Sequence, residues 1–242
     1  MMNTAPRHGL ARVLSKHGVC SRTQAAQWIL AGRVSVDGSV VRNPEFPVVI
    51  GRHRVDVDGQ ALDGAPRIYL MLNKPRGLVT TAKDEHGRDT VYRCFDGTTL
   101  PWLAPVGRLD KASEGLLLFS NDPAWAARIT DPRHGLDKTY HVQVDTVPTP
   151  ALLQALHAGL EDDGEWLVAK QVEMLRAGGR NAWLEIVLDE GRNRQIRRLL
   201  AAHDVGVLRL VRVRVGELPL GGLAKGAWRL LTAAEVSALG GA

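Results

Sequence analysis

An aspartate that precedes an apolar segment is the residue of this sequence with the clearest chemical potential. The stretch VGRLDKASEGLLLFSND places Arg108 and Asp110 just before the apolar run 115–119. Such a run is typical of a strand buried on both faces. A carboxylate near a core costs free energy unless a cation compensates it. Asp110 is therefore either a structural partner of Arg108 or a nucleophile that a nearby cation keeps charged.

Arginines later in the chain are candidates for that cation. The segments DEGRNRQIRRLL (189–200) and LVRVRVG (210–216) contain most of them. A basic helix face that binds RNA phosphates is the simplest interpretation, and it leaves room for one arginine turned inward, toward Asp110. The seven arginines between positions 191 and 214 are Arg192, Arg194, Arg197, Arg198, Arg209, Arg212 and Arg214.

Two further stretches could contribute to a site. LNKPRGLVTT (72–81) is a strand that ends in a Pro/Gly loop with Lys74 and Arg76. Such loops often contact phosphates, although most of them are plain turns. Tyr140 lies in the alternating segment KTYHVQV (138–144), where a tyrosine is more often part of the core than a catalyst.

The segments around these motifs predict the elements that must position them. Because strands outnumber helices, we expect an α+β fold in which a mixed, mainly antiparallel sheet has helices packed beside it. On the strand 210–216, Val211, Val213 and Val215 are predicted to share one face, with Arg212 and Arg214 on the other. The other predicted elements are a helix over 124–130, a helix opened by Thr149-Pro150, strands near 167–175 and 182–189, a helix over 192–203 and a terminal helix from Thr232.

The N-terminal part has a different texture. Residues 8–62 predict two short helices followed by two hairpins with Asp-Gly turns. Gly64-Ala-Pro66 reads as a linker, so we expect two domains, 8–64 and 66–242. Between Arg7 and Arg54 there are eight Arg or Lys residues and two acidic ones, whereas the whole chain of 242 residues carries a net charge of only +5. A basic segment on a nearly neutral body suggests either a tether for a polyanion such as RNA or a solubilising surface.

Several classes of protein are disfavoured. The two cysteines, Cys20 and Cys94, are far apart, and the eight histidines show no metal-ligand spacing, so neither a disulfide framework nor a metal site is expected. There is no apolar signal segment and no stretch long enough to span a membrane. We expect a cytoplasmic protein and, without an exposed apolar repeat, a monomer.

Four of these stretches, in this order, resemble the RsuA-type ribosomal pseudouridine synthases, which carry an N-terminal alpha-L RNA-binding domain. The resemblance covers the chain from about Leu10 to Glu235. The third stretch is the most specific, because in that family the Asp of G-R-L-D is catalytic, and this Asp is Asp110 here. The four stretches are LSKHGVCSRTQAAQWILAGRVSVDG, LNKPRGLVTT, VGRLDKASEGLLLFSND and EGRNRQIRRLL.

The resemblance implies a role for each matching residue. Asp110 would be the nucleophile, or the base that starts glycal formation at the ribose, and Arg197 would be its ion-pair partner. Tyr140 would stack on the flipped base and help remove the proton from carbon 5, and Leu200 would pack beneath the ring. Residues expected to contact the RNA are Arg12, Lys16, Arg22, Arg33, Lys74, Arg76, Arg108, Arg192, Arg194 and Arg198.

The implied reaction is the isomerisation of uridine to pseudouridine in ribosomal RNA, after the base has flipped out of its stack. No cofactor is implied, since neither electrons nor a group is transferred. EGRNRQIRRLL looks closer to the enzymes that act on the large-subunit RNA. The alternatives are the same reaction on small-subunit RNA, a different RNA enzyme that uses the same tether, and a non-catalytic RNA-binding factor in ribosome assembly.

Overall fold

The computed structural model describes residues 6–62, 64–82 and 84–240. The chain forms two compact units, called here the N-terminal unit and the C-terminal unit. The N-terminal unit extends to Tyr69 and includes Thr98–Ala104 and Phe119–Ala124, and the C-terminal unit comprises Leu70–Gly97, Pro105–Leu118 and the chain from Trp125 onward. None of the described helices is long and apolar enough to cross a membrane.

The N-terminal unit contains two helices and two small antiparallel sheets. Its elements are β1 (Arg7–Gly9), α1 (Leu10–Lys16), α2 (Arg22–Leu30), β2 (Val34–Val36), β3 (Ser39–Val40), β4 (Pro47–Val49), β5 (Val55–Val57) and β6 (Gln60–Ala61). Strand β1 pairs with β4, and the other four strands form a sheet in the order β3-β2-β5-β6.

Local sequence signals explain these elements. The Ser21 hydroxyl accepts a hydrogen bond from the Gln24 N–H and so begins α2. Asp37 and Asp58 adopt a φ of 50°, and each is followed by a glycine that also has a positive φ. Turns of this conformation connect the two strands of a β-hairpin through a two-residue loop. The predicted helices and hairpins of this segment are therefore confirmed.

The strands of the remaining chain form a nine-stranded sheet and a separate two-stranded sheet. The strands are β7 (Tyr69–Lys74), β8 (Ala104–Val106), β9 (Glu114–Ser120), β10 (Lys138–Val144), β11 (Leu160–Asp162), β12 (Glu165–Leu167), β13 (Gln171–Ala177), β14 (Ala182–Leu188), β15 (Val207–Val215), β16 (Leu218–Pro219) and β17 (Trp228–Leu230). Strands β11 and β12 form the two-stranded sheet. In the nine-stranded sheet the central order is β13-β14-β10-β15-β9-β7-β17, with β8 beside β9 and β16 beside β15. Strand β15 runs parallel to β9 and antiparallel to β10. The prediction of a mixed, mainly antiparallel sheet in an α+β fold is confirmed.

Four α-helices accompany this sheet: α3 (Pro123–Thr130), α4 (Pro150–Ala158), α5 (Gln195–Ala201) and α6 (Ala233–Ala238). Short 3-10 helices cover Val91–Phe95 and Pro132–His134. Thr149 caps α4, and Thr232 and Glu235 form a complete capping box at α6. These helix starts are where the sequence predicted them.

The helix predicted over 192–203 is shorter in the structure. Helix α5 begins at Gln195, because Arg194 adopts a left-handed conformation with φ 49°. The Gln195 side chain is buried, and its amide oxygen accepts a hydrogen bond from the Arg192 N–H at 3.1 Å. Residues 191–194 are thus held as a loop, which a helical periodicity could not reveal.

The predicted faces of the strand 210–216 are right for Val211 and Val213, which line one pocket together, but wrong for Val215 and for the two arginines. A β-bulge leaves Val213 without a partner on β10, so that Tyr140 pairs with Arg212 while the preceding residue, Thr139, pairs with Arg214. Arg212 is buried and Arg214 is exposed. The extra residue breaks the alternation, and the two arginines end on different sides of the sheet.

One close approach in the sheet is possible only for glycine. Gly115, with φ +100°, pairs with Arg212 across β9 and β15. A Cβ atom at position 115 would overlap the backbone carbonyl of Arg212. We expect Gly115→Ala to lower the free energy of unfolding by about 2–4 kcal/mol, since it adds backbone strain and a clash with main chain. Chemical denaturation measures this loss.

Gly77→Ala is the matched control. Gly77 has the same φ of +100°, but a Cβ there would meet nothing within 4 Å. Its substitution should cost only the strain, about 1–2 kcal/mol. Equal losses in the two variants would show that the approach of β15 to Gly115 imposes no constraint.

Candidate functional site

A cleft of about 350 Å³ opens on one face of the C-terminal unit's sheet. Three of the four residues predicted to be catalytic line it, namely Asp110, Tyr140 and Arg197. Residues predicted to contact RNA that also line the cleft are Arg108, Arg192 and Arg194. The structure thus brings together segments that are up to about ninety residues apart in the chain.

Asp110 sits on a loop that the segment 74–80 holds in place. The Leu109 side chain is buried, and the Thr80 hydroxyl donates to the Leu109 carbonyl at 2.7 Å and accepts from the Leu109 N–H at 3.3 Å. The Gly77 N–H donates to the carbonyl of Lys111 at 2.8 Å. Because its flanking residues are fixed on both sides, Asp110 has a defined position at the edge of the cleft.

Lys74 was predicted to contact RNA, and the structure contradicts this prediction. Its side chain has no exposed surface. The ammonium donates hydrogen bonds to the backbone carbonyls of Pro75 (3.1 Å), Asp110 (3.1 Å) and Ser113 (2.8 Å). Burial lowers the pKa of Lys74 to about 8, and the negative charge of Asp110 opposes that shift. Lys74 therefore fixes the Asp110 loop from inside and places a positive charge close to the carboxylate.

Arg197 approaches the same loop from α5. Its Nη2 donates to the Ala112 carbonyl at 3.3 Å, and its Nε is buried without a hydrogen-bond partner among the described residues. The predicted ion pair with Asp110 is wrong as a contact, since within 6–62, 64–82 and 84–240 no hydrogen bond or salt bridge joins the two side chains. Burial, Arg194 and Arg76 lower the pKa of Arg197, whereas Asp110 raises it. Arg197 thus acts on the carboxylate through space.

Tyr140 lies in the middle of β10, and the residue is 8% exposed. Its Cα partners are Ile186 on β14 and Arg212 on β15. Residues opposite each other in neighbouring strands present their side chains on the same face. The Tyr140 ring therefore forms part of the cleft wall between an aliphatic and a cationic side chain.

Leu200 does not reach the cleft. Its side chain is fully buried, and the apolar wall of the cleft is made instead by Leu118, Leu188, Ile196 and Leu210. Ile196 lies one helical turn before Leu200 on the same face of α5, so it meets the cleft first. The predicted position of Leu200 at the cleft is therefore corrected: Ile196 lines the cleft, and Leu200 does not.

Several arginines predicted to contact RNA form salt bridges with acidic residues. Arg198 donates to Asp162 and Glu165, and its side chain is only 20% exposed, which contradicts a role in RNA contact. Arg192 pairs with Glu190 at 2.9 Å but still lines the cleft. Arg33 pairs with Asp58 and lies over the Trp28 ring.

The other residues predicted to contact RNA remain accessible. Arg12 on α1, Arg22 on α2 and Arg76 are exposed. Lys16 is half-buried, and its ammonium lies 3.1 Å from His8 Nε2. Arg76 does not line the cleft, although its charge acts on Arg197.

Two cationic residues of the cleft were given no role of their own by the sequence. Lys138 and Arg212 both line the cleft beside Tyr140. Lys138 could have been found, because it is two residues before Tyr140 on an alternating strand and so shares its face. Arg212 could not have been separated from Arg214, since the bulge that distinguishes them leaves no clear sequence signal.

Comparison with known proteins agrees with this arrangement. The sequence pattern of the family described as RNA pseudouridylate synthase matches residues 68–202, and that of the S4 domain matches residues 9–52. Asp110, Tyr140 and Arg197 all fall inside the first of these matches. The resemblance drawn from the four sequence stretches is therefore confirmed.

Individual relatives match nearly the whole chain. An uncharacterised RNA pseudouridine synthase of Rickettsia conorii is 36% identical over 224 residues, which are 92% of this chain and 95% of the relative. The ribosomal large subunit pseudouridine synthase B of Bacillus subtilis is 34% identical over 232 residues, which are 95% of this chain and 94% of the relative.

A crystal structure of a pseudouridylate synthase superposes with a TM-score of 0.66 at 29% identity, covering 96% of this chain and 99% of that one. The likeness thus extends over both the small basic region and the region that carries the cleft. Family pattern, relatives and fold agree along nearly the full length, and the chain belongs to the RNA pseudouridylate synthase family, with an S4 domain near its N-terminus.

Proposed function

We propose that this chain isomerises one uridine of ribosomal RNA to pseudouridine and that Asp110 begins the reaction. The observation that carries the proposal is the fixed position of Asp110 in a cationic cleft beside an aromatic side chain. In the reaction the bond from C1′ to N1 of the base breaks, the base rotates, and C5 bonds to C1′. C5 loses a proton and N1 gains one, so the atoms balance without an oxidant, a reductant or a group donor.

The cleft suits a flipped nucleotide. A base taken out of its stack loses roughly a few kcal/mol of stacking and pairing free energy. Stacking on an aromatic side chain and contacts between cations and phosphates offset this loss. Tyr140 offers the ring face, and Arg108, Arg192 and Arg194 offer the positive charges at the cleft rim.

Asp110 acts as a nucleophile at C1′ or as the base that starts glycal formation, and either role requires an ionised carboxylate. Lys74 and Arg197 place two positive charges near this carboxylate. Neither occupies the carboxylate in a direct ion pair, so its oxygens stay available to the ribose. The loop held by Lys74 and Thr80 keeps the reacting group in place, which reduces the entropy lost on reaching the transition state.

Tyr140 is the candidate for the group that takes the proton from C5. It lies on the cleft face of β10, where the base would stack, and a phenol oxygen is a possible proton acceptor. Ile196 and Leu188 would pack against the edge of the base. An apolar wall of this kind excludes water and strengthens the electrostatic interactions inside the cleft.

The S4 domain provides the second contact with the RNA. We assign RNA binding to residues 8–64 and catalysis to residues 66–242. The exposed Arg12 and Arg22 lie on α1 and α2, and a basic segment attached to a nearly neutral body favours binding of a structured polyanion. Two separate contacts select a site more sharply than the cleft alone.

The target is assigned to the large ribosomal subunit. The Bacillus subtilis relative is named for the large subunit, and the segment EGRNRQIRRLL resembles that branch. Since the relatives are bacterial proteins and bacterial ribosomes lie in the cytoplasm, we place the enzyme there. We expect it to act as a monomer, because one chain carries both the cleft and the S4 domain.

The first prediction concerns Asp110→Asn. This change removes the negative charge and nearly keeps the shape, so catalysis should fall by a factor of roughly 10⁴ or more while RNA binding persists. The measurement is tritium release from RNA that carries uridine tritiated at C5, with both ribosomal RNAs supplied free and as subunits.

Asp163→Asn makes the same chemical change in an exposed turn and should retain wild-type activity. Tritium release by Asp110→Asn at the wild-type rate would contradict the assignment of Asp110. Tight RNA binding by the wild type without tritium release from any RNA would favour a non-catalytic assembly factor.

The second prediction concerns Lys74 and pH. Because neutral lysine has one N–H fewer and no charge, kcat of the wild type should fall as the pH rises through about 8, the pKa of buried Lys74. Lys74→Met should lower kcat by roughly 10- to 100-fold at neutral pH and should lack this decline. Exposed Lys111→Met in the same loop is the control and should keep the wild-type profile.

Stability should change in the opposite direction over the same range. The pKa of Lys74 lies at about 8 in the folded protein, against 10.5 for an unperturbed lysine, so the fold disfavours the charged form. Its contribution to the free energy of unfolding therefore rises from pH 8 to 10.5. A decline of activity that tracks a loss of stability, or one that persists in Lys74→Met, would contradict the role given to Lys74.

A further inference from the structure

Lys138 and Arg212 form a cationic pair around Tyr140, called here the inner cation pair. Arg212 is the Cα partner of Tyr140 across β10 and β15. Lys138 precedes Tyr140 by two residues on the same strand, so its side chain shares the same face. Both line the cleft. The aromatic side chain thus has a positive group across the strand and another along it.

The environment of Arg212 is unusual for a charged residue. The residue is 8% exposed, and its Nε donates to the backbone carbonyl of Leu116 at 2.8 Å. Across residues 6–62, 64–82 and 84–240 it forms no salt bridge. A buried guanidinium normally pairs with a carboxylate, because otherwise the loss of hydration is not compensated.

Lys138 has a similar environment. It is half-buried, and its ammonium makes no hydrogen bond or salt bridge to any residue that the structure describes. Burial lowers its pKa, the charge of Arg212 lowers it further, and Asp189 and Asp137 raise it. Asp137 is itself bound by Lys170, whose ammonium lies 2.8 Å from both of its oxygens.

The carboxylates that line the cleft do not neutralise the inner cation pair. Glu190 is bound by Arg192 Nε at 2.9 Å and by the Gln195 amide at 2.9 Å. Asp110, the other acidic residue of the lining, makes no salt bridge to either cation. Two like charges in a partly desolvated cleft repel each other, and an anion from solution would relieve that repulsion.

We propose that Arg212 and Lys138 bind a phosphate of the RNA, the phosphodiester that flanks the nucleotide stacked on Tyr140. The anion of an RNA substrate is its phosphate, and a guanidinium with an ammonium beside it is a suitable donor set. A neutral carbonyl oxygen of the base would add no negative charge to offset the repulsion between the two cations. The inference rests on the proposed function, since the RNA supplies the anion.

This phosphate site has a mechanistic use. A phosphate held inside the cleft draws the backbone of the target nucleotide inward, which offsets the loss of stacking when the base flips. Cations at the rim, such as Arg108 and Arg194, bind the RNA whether or not a nucleotide has entered the cleft. The inner cation pair contacts only a nucleotide that has already entered the cleft.

The first arm of the test needs no RNA. Inorganic phosphate is the probe, and thermal unfolding of the full chain is measured with phosphate or with chloride at equal ionic strength. Phosphate should raise the Tm of the wild type, because a ligand that binds the folded state stabilises it. Arg212→Met and Lys138→Met should lose most of this increase, and Arg214→Met, which removes an exposed arginine two residues away, should keep it.

Arg212→Met also separates binding from a structural role. Without phosphate its Tm should equal or exceed that of the wild type, since replacing an uncompensated buried charge by an apolar side chain is often neutral or stabilising. If this variant does not fold, Lys138→Met decides the outcome alone, because Lys138 is only half-buried.

The second arm uses tritium release from the RNA that responds to the wild type. Arg212→Met should lower kcat/KM by roughly 10- to 100-fold. The slope of log kcat/KM against log salt should become shallower by about 0.7–0.9, the value for one lost phosphate contact. Arg214→Met should stay within twofold of the wild type in rate and keep its slope.

The outcomes separate the two proposals. No tritium release by the wild type, together with phosphate stabilisation that depends on Arg212 and Lys138, would reject the proposed function and keep the anion site. Normal release, with an unchanged salt slope and equal phosphate stabilisation in all variants, would reject the anion site and keep the proposed function. If Arg212→Met has a lower rate and a lower Tm but an unchanged salt slope, Arg212 has only a structural role.

Discussion

Two hydrogen bonds from the buried ammonium of Lys74, to the carbonyls of Asp110 and Ser113, hold the loop on which Asp110 lies. Ser113 is buried, and a buried carbonyl left without a partner is costly. The ammonium in turn is acceptable inside the protein because these carbonyls replace its hydration. These hydrogen bonds couple β7 to the Asp110 loop, and the remaining cleft residues are arranged around a carboxylate that this coupling fixes.

The charges around the cleft fall into three groups with different partners. The first is bound internally, as Arg198 is by Asp162 and Glu165. The second surrounds Asp110 without touching its oxygens, and it comprises Lys74 and Arg197. The third makes no salt bridge to any described residue, and it comprises Lys138 and Arg212 together with the exposed Arg108 and Arg194. A count of arginines cannot separate these groups, because the partner of each charge determines what it does.

The sequence predicted much of this arrangement and missed a specific part of it. Asp110, Tyr140 and Arg197 meet in one cleft, as their place in recognisable motifs indicated, and capping residues such as Thr149 and Thr232 marked helix starts correctly because those signals are local. The errors at Leu200, Lys74 and Arg198 concern direction and depth. Whether a long side chain turns toward solvent or toward a carbonyl depends on strands that are distant in the chain, and no local pattern records it.

The bulge at Val213 has a consequence for how this strand can vary between related proteins. Arg212 and Arg214 are alike in composition and spacing, yet one unpaired residue places the first in the cleft and the second in solvent. At position 214 a substitution affects only the exposed surface. At position 212 a substitution also alters the lining of the cleft, so it requires compensating changes there. A deletion outside residues 212–214 that removed the bulge would restore the alternation of the strand. Arg212 and Arg214 would then lie on the same face, although neither side chain had been replaced.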